Sequence, residues 1–126
     1  MLQAIVLTKN SSALLQKCLP NLKFADSILV IDDYSTDDSV QIAEKFGARV
    51  FQHHLSGNFA SQRNFALTKS KADWALFVDP DEIVPPKLQA EIKRVTEQNK
   101  PGGYYLRRLD FFKNQPLYYG DTGNFQ

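Results

Sequence analysis

Four times along this chain a short apolar run is followed by a stretch with helical periodicity, and that alternation restricts the fold more than any other feature. The runs are Ala4-Ile5-Val6-Leu7, Ser27-Ile28-Leu29-Val30-Ile31, Arg49-Val50-Phe51-Gln52 and Trp74-Ala75-Leu76-Phe77-Val78. They are too brief for helices and read as strands, and the first two, apolar from Ala4 to Leu7 and from Ile28 to Ile31, suit strands covered on both faces. A first helix is predicted after the N-cap candidates Asn10, Ser11 and Ser12, with Leu14, Leu15, Cys18, Leu19 and Leu22 recurring at helical spacing and Pro20 near its end. A second is predicted with Ser35 or Thr36 as cap, Asp37 and Asp38 in its first turn, and Gly47 closing it. The third spans Phe59 to Ser70 behind Ser56-Gly57-Asn58, and the fourth starts at Pro85-Pro86 and carries Leu88, Ile92 and Val95. Such a βαβαβαβα order implies a mainly parallel sheet with helices on both faces and right-handed crossovers. Beyond Lys100-Pro101-Gly102-Gly103 the texture turns β-rich and aromatic, and Tyr104 to Phe112 with Leu117 to Tyr119 read as a hairpin around Lys113-Asn114-Gln115.

At 126 residues the chain is expected to form one domain, residues 1–100 making the alternating part and 101–126 the tail. Fifteen basic residues against fourteen acidic ones leave a net charge of +1, too small a field to argue for nucleic acid as a partner. Cys18 stands alone, so neither a disulfide framework nor a zinc site can be built within the chain. No apolar run approaches the roughly 20 residues that cross a bilayer, and Met1 leads into the first strand without a basic n-region. The expected location is therefore cytoplasmic, with peripheral association at the inner face of the membrane compatible with it.

In an open parallel sheet, ligands bind beyond the carboxyl ends of the strands. Those ends carry Thr8, Lys9 and Asn10, then Asp32 and Asp33, then Asp79, Asp81 and Glu82. The carboxylates of Asp32 and Asp33 are expected to end their strand, because a core sheet does not tolerate them unpaired. An acidic rim needs compensation from a cation or from hydrogen-bond donors, and oxygen ligands suit Mg²⁺ or Mn²⁺. Pro80 fixes φ and removes a donor, so the chain leaves the sheet at Asp79-Pro80-Asp81 with both carboxylates near the turn. A plain Asp and Pro turn between strand and helix is the alternative for this segment. His53 and His54 adjoin a strand end, where neighbouring side chains point opposite ways, so they are not expected to share a metal.

Taken in order, Ala4-Ile-Val-Leu-Thr-Lys-Asn10, Ile31-Asp-Asp-Tyr-Ser-Thr-Asp37, Ala60-Ser-Gln-Arg-Asn-Phe-Ala66 and Leu76-Phe-Val-Asp-Pro-Asp-Glu82 resemble the motifs of family-2 glycosyltransferases. The bacterial branch that decorates lipopolysaccharide core and related envelope glycans is the nearest in pattern. The resemblance implies a GT-A, Rossmann-like fold and a metal-dependent, inverting transfer of sugar from a nucleoside diphosphate sugar, a UDP-sugar by preference, to a glycan or lipid-linked acceptor. It implies that Asp33 hydrogen-bonds the uracil or ribose, with Asp32 the weaker candidate, and that Thr8, Asn10 and the backbone after the first strand wall the base. It also implies that Arg63 and Asn64 approach the nucleotide, that Asp79 contacts ribose or a metal-bound water and shares in metal binding, and that Asp81 ligates Mn²⁺ or Mg²⁺ directly. Without the resemblance, Arg63 and Asn64 read equally well as solvated helix residues. Tyr34 stands where the family often has a small residue, which implies an altered base pocket. Tyr104, Tyr105, Tyr118 and Tyr119 are candidates for a sugar-stacking surface or for cross-strand packing.

The family's general base lies well downstream of the Asp-x-Asp segment, and neither Asp110 nor Asp121 falls in a matching motif, so no catalytic base is assigned and the chain is expected to be short relative to its relatives. Donor binding with poor turnover is the expectation for this piece alone. A non-catalytic module of the same fold is the main alternative. A receiver-type phosphoacceptor domain fits less well, because a complete strand and helix precede Asp32-Asp33. A sugar nucleotidyltransferase calls for a Gly-rich phosphate loop after the first strand, and Thr8-Lys9-Asn10-Ser11-Ser12 has no Gly.

Overall fold

The computed structural model describes residues 1–98 and 102–117. In chain order the elements are β1 (Leu2–Thr8), α1 (Ser12–Asn21), β2 (Ser27–Asp32), α2 (Ser39–Lys45), β3 (Arg49–Gln52), α3 (Phe59–Lys69), β4 (Trp74–Phe77), α4 (Pro86–Glu97), β5 (Asp110–Phe112) and β6 (Gln115–Leu117). The first four strands form one parallel sheet in the order β3-β2-β1-β4. Thr8 lies beside Asp32 on one side of β1, while Ile5 lies beside Phe77 on the other. The carboxyl ends of β1, β2 and β4 therefore open onto one rim.

Alternation along the strands divides the core into two layers. Ala4, Val6, Ile28 and Val30 face Leu15, Cys18, Leu19 and Leu22 of the α1 region, with Ala43 of α2 and Ile92 of α4 completing that layer. Ile5, Leu29 and Ile31 point the other way onto Ala66 of α3, with Phe51, Phe65 and Phe77 partly buried around them. Helices thus cover both faces, as the uninterrupted apolar runs require. Among the described residues no helix is long and apolar enough to cross a membrane.

Local signals account for several boundaries. Asn58 caps α3 by accepting a hydrogen bond from the Ser61 N–H at 2.9 Å, and Pro86 opens α4 where its missing N–H costs nothing. Gly47 closes α2 at φ +81, a conformation that side chains disfavour.

Three expectations are corrected. Helix α2 begins at Ser39, so Asp37 and Asp38 precede it instead of occupying its first turn, and neither Ser35 nor Thr36 caps it. Asp37 is spent elsewhere: its carboxylate accepts from the Ser39 N–H, the Ser39 hydroxyl and the Ser12 N–H. Strand β2 does end at Asp32, but the Asp32 carboxylate is fully buried instead of turned out of the sheet. Finally, the hairpin is shorter than expected, with Lys113 and Asn114 forming a two-residue turn at φ 47 and 60. A turn of that kind matches the twist of an antiparallel pair. Residues 102–109 are not strand, and Tyr118, Tyr119 and Asp121 lie outside the described residues.

Candidate donor-binding site

Strand β2 delivers Asp32 and Asp33 to the rim as consecutive residues, and the sheet treats them differently. Asp32 points inward, where its carboxylate accepts from the Ser35 N–H, the Ser35 hydroxyl and Gln52 Nε2. Those donors satisfy a buried acidic group that would otherwise be costly. Asp33 faces the rim with its side chain 10% exposed, receiving Lys9 Nζ at 2.9 Å on one oxygen and His54 Nδ1 at 3.3 Å on the other. Its carboxyl is held below the usual range chiefly by the Lys9 hydrogen bond, against the opposing effect of burial, with help from the Leu55 N–H and His54. One carboxylate thereby ties together the segments that follow β1, β2 and β3.

Thr8 ends β1 buried, and its Oγ1 has no hydrogen-bond partner among the described residues. Asn10 sits at φ 48 and its carboxamide oxygen accepts from the Thr36 N–H at 2.7 Å, so this side chain stitches two rim loops together. Helix α3 leaves the same rim. From its first turns Arg63 reaches over the Phe77 ring at 5.9 Å, while Asn64 is exposed.

After β4 the chain makes a tight acidic turn. The Asp79 N–H donates to Glu82 Oε2 at 2.9 Å, and the Glu82 N–H returns a bond to the Asp79 carbonyl at 3.0 Å. Glu82 is further engaged by Arg108 at 3.5 Å, which also contacts Asp110 at 3.2 Å. The carboxylates of Asp79 and Asp81 are exposed and have no hydrogen-bond or ion-pair partner among the described residues. Buried Cys18 lies beneath this turn, its thiol pushed up to about 11 by burial first and then by Glu82, Asp81 and Asp79. Several negative charges thus share one neighbourhood.

Among the described residues no three His, Cys, Asp or Glu side chains gather closely enough to hold an ion unaided. Two free carboxylates on one turn are nonetheless the donor set from which Mg²⁺ or Mn²⁺ is held when substrate phosphates and water supply the remaining oxygens. A cavity of about 290 Å³ lined by Leu2, Phe24, Asp26, Lys93 and Thr96 lies at the opposite edge of the sheet, where β1 begins, away from this rim.

The two histidines point opposite ways, as extended backbone requires. His53 bonds Gln62 and stacks on Phe65 of α3, whereas His54 reaches Asp33 and stacks on Tyr34. Of the rim residues that surround Asp33, His54 is the one to which the sequence assigns no role. Strand order is the signal that finds His54, since β3 neighbours β2 and its trailing residues must pass beside Asp33.

An open parallel sheet of this order, with helices on both faces and acidic turns along its carboxyl rim, has the architecture of GT-A glycosyltransferases. The chain matches the family model Glycosyl transferase family 2 over residues 3–124 and belongs to that family. It is 34% identical over 117 residues to an uncharacterized glycosyltransferase of Rickettsia bellii, covering 90% of this chain and 40% of that protein. Among solved structures, S. aureus TarS 1-349 in complex with UDP is 30% identical with a TM-score of 0.65, over 76% of this chain and 32% of that one. Glucosyl-3-phosphoglycerate synthase from Mycobacterium tuberculosis, in complex with Mn²⁺, UDP and glucosyl-3-phosphoglycerate, shares the fold at 22% identity and a TM-score of 0.58, over 68% of this chain and 35% of that one. The chain therefore spans about 40% of the Rickettsia relative's length.

Proposed function

We propose that this chain is the donor-binding part of a metal-dependent, inverting glycosyltransferase that takes its sugar from a UDP-sugar, residues 1–126 acting as one nucleotide-sugar-binding unit. The observation that carries this reading is the pair of carboxylates, Asp79 and Asp81, without partners among the described residues, on the same rim as the partnered Asp33. In this reading Asp33 accepts a hydrogen bond from the uracil or ribose, and Thr8 forms the wall beside it. Arg63 approaches the diphosphate from α3, with Asn64 next to it. Asp81 holds Mn²⁺ or Mg²⁺, with Asp79 contributing through the metal shell or the ribose. When bound, the ion neutralises charge on the departing diphosphate.

Transfer itself requires an acceptor hydroxyl to attack the anomeric carbon as the bond to the diphosphate breaks, with a base taking the hydroxyl proton. Donor binding is the part of that reaction for which this chain's residues account. A glycan or lipid-linked acceptor, and a place at the inner face of the membrane, complete the reading on the strength of the motif resemblance. The complexes of UDP with TarS and of UDP and Mn²⁺ with glucosyl-3-phosphoglycerate synthase support the donor and the ion.

Titration calorimetry with UDP, with and without Mn²⁺, tests the reading. Binding is expected to require the ion, and Asp81→Ala is expected to weaken it at least about tenfold, or ~1.4 kcal/mol, at an unchanged melting temperature. Equal, metal-independent binding by both proteins would overturn the proposal.

A further inference from the structure

Beside Asp33 the structure builds a flat, solvent-facing pair of rings. Tyr34 and His54 stack with centroids 4.0 Å apart and planes 25° from parallel. Tyr34 adopts φ 50, a left-handed backbone that a bulky residue takes only against its steric preference. His54 is held in place by Asp33 through Nδ1, yet its side chain is 69% exposed, and Tyr34 is the one ring stacked on it among the described residues. An imidazole aimed by a carboxylate, backed on one face and open on the other, is a preformed stacking surface. Next to it stand an acceptor, Asp33, and a donor, Lys9, 2.9 Å apart. That edge is complementary to an N–H and C=O pair on the rim of a nucleobase lying over the ring.

We infer that His54, backed by Tyr34 and aimed by Asp33, is the stacking platform for the donor's nucleobase. The inference rests on the donor-site reading above and adds two residues to it. Stacking of a base on an aromatic ring is tolerant of ring identity, because it depends on the flat π-face and not on a particular donor or acceptor. His54→Phe should therefore retain the platform while losing the bond to Asp33, whereas His54→Ala removes both. Inorganic pyrophosphate has no base, so its binding should not depend on residue 54.

The test is a set of calorimetric titrations with UDP and with pyrophosphate, each with Mn²⁺, on the wild type, His54→Ala and His54→Phe, joined by proton spectra of UDP. Expected are about tenfold weaker UDP binding in His54→Ala, a change of at most about threefold in His54→Phe, and pyrophosphate binding equal in all three. The uracil H5 and H6 resonances should move upfield on binding wild type and His54→Phe, as protons over an aromatic face do. Wild type that binds UDP while His54→Ala binds it equally well overturns this inference alone. So does parallel weakening of UDP and pyrophosphate, or loss in His54→Phe as great as in His54→Ala. Wild type that fails to bind UDP with Mn²⁺ removes the donor-site reading and this one together.

Discussion

Strands β2 and β4 both lead acidic groups to the same rim, but the protein has satisfied one set and left the other open. At β2, Asp32 is surrounded by Ser35 and Gln52, and Asp33 by Lys9, His54 and the Leu55 N–H. At β4, Glu82 is taken up by the turn and by Arg108, while Asp79 and Asp81 have no partners among the described residues. Carboxylates held by the chain's own donors contribute to folding. Those left in water contribute nothing to it and remain available to a ligand. The difference separates acids already engaged by the chain from acids left open on a single edge, and Asp33, though engaged, keeps the donor-site role proposed for it.

The comparison breaks first at Asp32 if it is wrong anywhere. Asp32→Ala strands the Ser35 N–H and Gln52 Nε2 and should cost about 3 kcal/mol, lowering the melting temperature by roughly 10 °C. Thermal and denaturant unfolding measure it, and a loss below about 1 kcal/mol would place Asp32 with the open set. Asp37 sharpens the contrast at lower cost. Its carboxyl is depressed from 3.8 to about 2, first by the Ser39 hydroxyl, against burial, with the Ser12 and Ser39 N–H groups assisting. Its contribution is therefore fully present above pH 3.8 and lost as pH falls toward about 2. Asp37→Asn should be less stable than wild type at neutral pH, with the gap closing across that acid window in circular-dichroism titrations. A gap independent of pH would mean that the charge of Asp37 plays no part. The smallest effect belongs to β4: Asp79→Asn with Asp81→Asn, without metal, should leave unfolding within about 0.5 kcal/mol of wild type, in the usual range for surface substitutions. A large loss there would show that these carboxylates have partners after all.

Much of the sheet could be read from the sequence because its signals are local. Ala4 to Leu7 and Ile28 to Ile31 are apolar at every position, which only a strand buried on both faces requires, and Asn58 and Pro86 mark their helices within one turn. The start of α2 is not legible locally because Asp37 bonds Ser12, 25 residues away, and not merely groups within its own turn. The burial of Asp32 is illegible for the same reason: its tolerance inside the protein depends on Gln52, which β3 brings alongside. The candidate site was legible as a rim of strand ends. Which of its acids were already engaged was not, since Lys9 and His54 come from other segments and nothing near Asp33 in sequence announces them.

Because β1 is hydrogen-bonded along both of its edges, β2 and β4 run two interstrand steps apart, about 10 Å across the sheet, with β2 ending beside Thr8 and β4 beside Ile5. Backbone geometry, not side-chain chemistry, sets that gauge. Loop residues beside one terminus, such as the stacked Tyr34 and His54 beside β2, can consequently vary while the strands keep the other terminus in place. A scaffold so ruled lets the loops beyond its strands vary while the spacing of the strand ends stays constant.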